Sequence, residues 1–172
     1  IYSERLHRHG YPALPTHVDA MGADAAYPCR LTTAKNGYFC HSQHRGLASL
    51  RRKSPEPMAA IAPALAKARG IRAGDPVVVR TRVGRARFTA RIDPFLDGST
   101  VVADYGWWQD CPDLGRPGYD PLAAEGSNFN ALIDTRTIDP ISGSVPHRSF
   151  PCDVAPTSDA GPRRWSGLHA FT

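Results

Sequence analysis

The chain has 172 residues, of which 15 are Gly and 16 are Pro. Punctuation this dense excludes long helices and coiled coil, and the lack of a Gly period excludes collagen. No apolar run approaches the roughly 20 residues that cross a bilayer, and a composition 41% hydrophobic and 22% charged suits one soluble domain able to bury a core.

The net charge of +5 hides an asymmetry. Residues 30–91 carry 14 Lys or Arg against only Glu56 and Asp75, a net +12, whereas residues 92–172 are net −6 and residues 1–29 net −1. A basic first half predicts a polyanionic partner, whether nucleic acid, acidic lipid or a phosphorylated cofactor; the plainer reading is a solvated basic face. Cys29, Cys40, Cys111 and Cys152 stand apart, with no C-x-x-C pair. Free thiols in a reducing, cytoplasmic compartment fit this better than a disulfide framework. The chain opens Ile1-Tyr2-Ser3-Glu4 without Met or a charged leader, and reads as a fragment or later segment of a longer polypeptide, so that the absence of a targeting signal here says little about one upstream.

In chain order, residues 1–27 read as the end of a preceding domain plus a linker, with Gly10, Pro12, Pro15 and a small-residue run over 21–26. Residues 28–50 mix aromatic, hydroxyl, amide, His and Arg side chains, a recipe for a site-bearing loop and not for a core. Arg51-Arg52-Lys53 follows as a basic knot. Over 58–69 the one convincing helix starts at Pro63, which suits a first turn, and ends at Arg69 before Gly70. Val77-Val78-Val79 predicts a strand. Residues 85–92 alternate Ala86, Phe88, Ala90 and Ile92 against Arg85, Arg87, Thr89 and Arg91, predicting a half-buried strand with a basic outer face. A further strand is expected over 100–103 after the Asp97-Gly98 turn. The turn-plus-valine pattern at Gly74 repeats at Gly98 and suggests a barrel with two similar halves. Leu132-Ile133 reads as a short strand or helical turn, and residues 155–172 as a flexible tail.

Several constellations bear on function. Cys40-His41-x-x-His44 has the look of half a metal site, but zinc needs paired spacings that the chain does not supply, so no metal ligands are assigned. There is no G-x-S-x-G, G-x-G-x-x-G or P-loop. In a strand Trp107 and Trp108 would point to opposite faces, one to the core and one to a pocket wall. Asn128 and Asn130 share a face if extended and could read a heterocycle edge; turn chemistry beside Gly126 is the alternative. Lys35, Arg45, Arg51, Arg52 and Lys53 would neutralise phosphates if the chain were a stand-alone nucleic-acid-binding barrel. Aromatics are not interleaved with them as in a base-stacking platform, which makes nucleic acid the runner-up partner.

Taken in order, Thr32-Thr33-Ala34-Lys35, Phe39, His41-Ser42-Gln43-His44-Arg45, Leu50-Arg51-Arg52, Pro63, Gly70-Ile71-x-x-Gly74-Asp75-x-Val77, Gly106-Trp107-Trp108, Asn128 with Leu132, and Asp139-Pro140-x-Ser142-Gly143 resemble one family. It is the C-terminal molybdopterin-dinucleotide-binding domain of molybdenum and tungsten oxidoreductases of the dimethyl-sulfoxide-reductase superfamily. The resemblance covers residues 28–154 and leans toward the formate-dehydrogenase-like and acetylene-hydratase-like branch. It implies a mainly β fold, a six-stranded double-psi β-barrel of the aspartate-decarboxylase-like type with short helices. It also implies a ligand, a bis(pyranopterin guanine dinucleotide) molybdenum or tungsten cofactor (bis-MGD), whose anionic groups would give the basic segment a reason. Carried over by position, the cofactor contacts are Thr33, Lys35, His41, Ser42, Gln43, Arg45, Trp107, Asn128, Arg148 and Ser149. Thr33-Ala34-Lys35 departs from the Thr-Gly-Arg of many members, and Lys cannot make the bidentate fork of Arg. The resemblance places the metal's protein ligand, the iron–sulfur cysteines and the substrate acid/base groups in preceding domains or a large subunit. It therefore implies no turnover by this chain alone and no catalytic residue within it.

Overall fold

The computed structural model describes residues 2–14, 16–17, 22–123, 126–139, 141–145 and 148–157. Six strands close into a barrel: β1 (Cys29–Thr32), β2 (Met58–Ile61), β3 (Pro76–Arg80), β4 (Arg85–Ile92), β5 (Thr100–Ala103) and β6 (Phe150–Pro156), in the ring order β1-β5-β2-β4-β3-β6. The pairs β1/β5 and β2/β4 are parallel, and the other four are antiparallel. Closure leaves no strand edge to template aggregation.

Period-two patterning builds the interior. In β4, Ala86, Phe88 and Ala90 are buried while the intervening residues are wholly or partly exposed. Leu31, Ala59, Ile61, Val77, Val79, Val101, Ala103, Cys152 and Val154 complete the core. Alanines alternating with bulkier groups suit the narrow bore of a small barrel. The expected strands over 77–79, 85–92 and 100–103 are all present, as is the helix, α3 (Pro63–Ala68), with Pro63 in its first turn and Gly70 in the left-handed conformation just beyond it.

Other elements depart from the local sequence signals. Strand β2 is Met-Ala-Ala-Ile, a composition that favours helix, yet it is locked between a parallel and an antiparallel neighbour. Strand β6 carries Pro151 near its start and Pro156 at its end, where a missing N–H is tolerated. It takes in Ala155 and Pro156, where the sequence predicts tail; residues 158–172 lie outside the described residues, as do the readings that fall on residues 1, 15, 18–21 and 140. Near the start, Glu4–Arg8 is a short helix (α1) capped by Ser3. Ala48–Arg51 forms a further helical turn, α2. Nor does the 24-residue repeat map onto barrel symmetry. Strand β3 has two antiparallel neighbours, whereas β5 has one parallel and one antiparallel.

The strand directions put the site-bearing segments together. Strands β1 and β5 end, β2 and β6 begin, and the β3–β4 hairpin turns, all at one end of the barrel. That end is therefore covered by residues 33–57 and 104–149. Two 3₁₀ turns lie in the cover, Pro112–Leu114 and Phe129–Leu132. The second packs on the hairpin, where the Thr81 hydroxyl donates to the Leu132 carbonyl at 2.9 Å. A Cβ at Gly84 would stand 2.1 Å from the Ala131 carbonyl oxygen, so only glycine permits this approach. Gly84→Ala should destabilise the fold by about 1–3 kcal/mol. Gly98→Ala, with nothing within 4 Å of its Cβ, should stay within about 0.5 kcal/mol of wild type in urea unfolding.

Candidate functional site

Because β1 and β5 are parallel neighbours, the loops that follow them leave the barrel side by side. Two buried arginines join these loops. The Arg45 guanidinium donates to the carbonyls of His41 and Tyr105 (the latter at 2.7 Å), and the Arg45 backbone N–H donates to Gln109 Oε1 at 2.9 Å. Arg51 donates from Nε to the Pro55 carbonyl at 2.8 Å, from one terminal nitrogen to the Gln109 and Arg45 carbonyls at 3.0 and 3.3 Å, and from the other to the Pro117 carbonyl at 3.3 Å. Both are almost wholly enclosed, at 2% and 0% exposure.

Trp107 lies between the two guanidiniums, 4.8 Å from that of Arg45 and 4.7 Å from that of Arg51. Phe39 also lies against Arg45, at 4.6 Å, and Tyr119 against Arg51, at 6.0 Å. Phe39 and Tyr119 also meet Trp107 edge-on. Weak hydration and a planar, delocalised charge let guanidinium occupy such a column where an ammonium would not. Burial pushes the Arg45 guanidinium down to about 10 and lowers Arg51 as well, and an arginine side chain keeps its proton in a folded protein. Two positive charges are thus fixed beneath the loop surface.

Backbone strain concentrates in the same place. His41 and His44 hold left-handed φ angles of 51° and 71°, uncommon for non-glycine residues, and Ser149 holds 63° where β6 begins. His41 Nδ1 is 3.2 Å from the Tyr105 hydroxyl. Gly106, with φ of 73°, lets Ser42 approach so closely that a Cβ would stand 2.8 Å from the Ser42 Cα. Asn36, Phe39, His41, Arg45, Asp104 and Tyr105 line a narrow pocket of about 10 Å³, large enough for a single water. Arg45 Nε is buried without a hydrogen-bond partner, and the Trp107 indole N–H faces the Asp104 carboxyl without making a full hydrogen bond to it. Burial pushes the Asp104 carboxyl up, against the lowering pull of the Met58 amide and the Arg45 charge.

His41, Ser42, Arg45 and Trp107 are brought into one cluster. Thr33, Lys35 and Gln43 stand on the same loop, Thr33 half-buried and the other two exposed. Two residues differ from the sequence expectation. Arg45 and Trp107 are interior, and their polar groups face other parts of the chain instead of an open surface. The Asn128 amide is likewise engaged locally. It donates to the Pro121 carbonyl at 2.6 Å and accepts from the Asn130 amide at 3.0 Å, capping the second 3₁₀ turn. Turn chemistry therefore describes Asn128 better than a shared face with Asn130. Arg148 is exposed and Ser149 half-buried, both at the same barrel end. Sequence reasoning missed Arg51, Asp104, Tyr105 and Gln109 as parts of this cluster. Nothing local separates buried Arg51 from its exposed neighbour Arg52.

A family model described as the molydopterin dinucleotide binding domain matches residues 29–151. A dopamine dehydroxylase of Eggerthella lenta is 30% identical over 125 residues, which is 72% of this chain and 12% of that protein. The alpha subunit of formate dehydrogenase 2 (cytochrome c-553) of Nitratidesulfovibrio vulgaris is 31% identical over 140 residues, 72% of this chain and 14% of that protein. The structure of acetylene hydratase from Pelobacter acetylenicus superposes with a TM-score of 0.72 at 22% identity, covering 90% of this chain and 23% of that one, a likeness of fold. This chain thus spans a small fraction of the length of each.

Two outcomes follow from the arginine column. Arg51→Ala should lose about 3–5 kcal/mol, since it opens a cavity and strips the donor from four backbone carbonyls. Arg51→Lys should recover only part of that, with Trp107 fluorescence reporting the repacking. Asp104 gives a pH signature. Its folded pKa is raised, so its contribution to stability is complete below the unfolded value and is lost as pH rises through the folded one. Asp104→Asn should therefore be more stable than wild type in urea at pH 7, and the difference should vanish under acid conditions below the ordinary aspartate value of 3.8.

Proposed function

Because the chain belongs to the molydopterin dinucleotide binding domain family, we propose that it binds and shields a bis(pyranopterin guanine dinucleotide) cofactor holding molybdenum or tungsten. It does so as one domain of a larger oxidoreductase and has no turnover of its own. The observation that carries this reading is the loop pair over the Arg45–Trp107–Arg51 column, which presents polar side chains above two fixed positive charges.

The residues present fit such a group. Lys35, His41, Gln43 and Arg148 offer donors or positive charge, and Thr33 and Ser42 offer hydroxyls. Thr33 and Lys35 face the phosphates; His41, Ser42 and Gln43 hydrogen-bond the pterin edges; Arg148 and Ser149 close the far side. Arg45 and Trp107 act from beneath, with Asn128 shaping the turn beside them. When bound, the metal cofactor supplies two-electron redox chemistry, while this chain's groups hold its dinucleotide arms and keep water out. The preceding domains of the enzyme, or its large subunit, are the partners. Four free cysteines, one of them the exposed Cys40, support a reducing, cytoplasmic setting. Among the described residues no helix is long and apolar enough to cross a membrane. A stand-alone nucleic-acid barrel is not favoured, because two of the five basic groups it would use, Arg45 and Arg51, are buried.

The test is cofactor retention in the intact enzyme. A lost hydrogen bond to a charged group is worth about 1.5–3 kcal/mol, or roughly ten- to a hundredfold in affinity. Lys35→Ala and His41→Ala should each lower the metal and guanine nucleotide released on denaturation. Arg72→Ala, in the turn at the opposite barrel end, should leave both unchanged. Full cofactor content in both loop variants would remove the site assignment.

A further inference from the structure

Two side chains above the arginine column meet each other. The Tyr105 hydroxyl lies 3.2 Å from His41 Nδ1, with the two ring centroids 6.0 Å apart. Their backbones are tied to one group, because the Arg45 guanidinium donates to the carbonyls of both. The residues that follow them are pressed together as well: a Cβ at Gly106 would stand 2.8 Å from the Ser42 Cα. His41 keeps its left-handed φ of 51° inside this frame, a conformation that persists in a non-glycine residue where its surroundings over-determine it. The meeting of the two side chains is thus fixed from the backbone up.

The chemistry of the pair sets the direction of its hydrogen bond. Neutral imidazole carries one N–H and one lone pair, and the bond made by one ring nitrogen decides the state of the other. A phenol gives up its proton the more readily of the two, and its oxygen is a weak acceptor because the ring draws off its lone-pair density. An imidazole nitrogen with a lone pair is a good acceptor. The favoured pairing is therefore the Tyr105 hydroxyl donating to Nδ1, which leaves the ring proton on Nε2. His41 is exposed and Tyr105 partly buried, so Nε2 is the nitrogen left to a ligand.

We propose that Tyr105 is a positioning residue that holds His41 as the Nε2–H tautomer. His41 then meets the dinucleotide cofactor as a donor and selects an acceptor on it, a carbonyl or phosphate oxygen or a bare ring nitrogen, against an N–H group. The proposal rests on the reading that the first loop contacts that cofactor, and gives one of its contacts a polarity. The neighbouring Gln43 amide could turn either its oxygen or its nitrogen toward a ligand. His41 has no such choice while Tyr105 holds Nδ1.

Long-range proton–nitrogen NMR of the full chain with labelled histidine, at pH 8, reads the tautomer directly. The chain has seven histidines, and the His41 signals are those lost in His41→Gln. The Nε2–H form should dominate in the wild type. Tyr105→Phe keeps the ring and should convert His41 to a mixture with a large Nδ1–H share, while thermal melting shows that the fold survives. In the intact enzyme, Tyr105→Phe should speed cofactor release about three- to tenfold, as for one weakened hydrogen bond. In a His41→Gln background, where the amide brings its own donor, Tyr105→Phe should add nothing. An Nδ1–H ring or an even mixture in the wild type would overturn the proposal. So would a tautomer unmoved by Tyr105→Phe, or equally faster release on Tyr105→Phe with and without His41. Full cofactor retention in His41→Ala is a different failure: it removes the loop reading and the ligand assigned to His41, whatever the tautomer shows.

Discussion

The site depends on one packing decision, an indole ring set against two buried guanidinium groups. Trp107 gives the second loop its position, and Arg45 and Arg51 tie that loop to the first by way of carbonyls contributed from both. Burying two like charges is costly in itself. Here the cost is offset by hydrogen bonds to backbone oxygens and by the negative faces of three aromatic rings, and the half-buried Asp104 adds attraction for Arg45. Everything exposed on the first loop, from Lys35 to Gln43, takes its place from this column.

The column also changes the meaning of the charge asymmetry. A surplus of +12 over residues 30–91 looks like one basic surface in the linear chain. The fold scatters it, and three of the resulting groups differ in kind. Arg45 and Arg51 go inward beneath the loops, Arg80, Arg82 and Arg85 gather on the flank, and Lys35 stays on the exposed loop. Each group has its own dielectric surroundings, so a single electrostatic account cannot serve all three.

Strands whose side chains alternate cleanly, such as β4, were legible from the residues alone, as was α3 with its Pro63 start and Gly70 stop. Strands β2 and β6 were not, because Ala-Ala and Pro-containing segments become strands here through their neighbours. For the site, ordered motifs pointed to the right loop and barrel end, but they could not say which side chains face inward. Arg45 and Arg52 look alike in a row of letters, and only the arrival of Trp107 from residues far along the chain distinguishes them. Asn128 shows the converse, a polar residue of functional appearance whose amide is spent on its own turn.

The seam between β1 and β6 joins Cys29 to Cys152, so the ring is closed by a contact spanning nearly the whole barrel sequence. Such separations slow folding, since loop entropy must be lost before the pairing is gained. On the ribosome, β1 emerges early but lacks its β6 partner until the last strand has been synthesised. The barrel end that carries the loop pair thus stays ajar through most of synthesis.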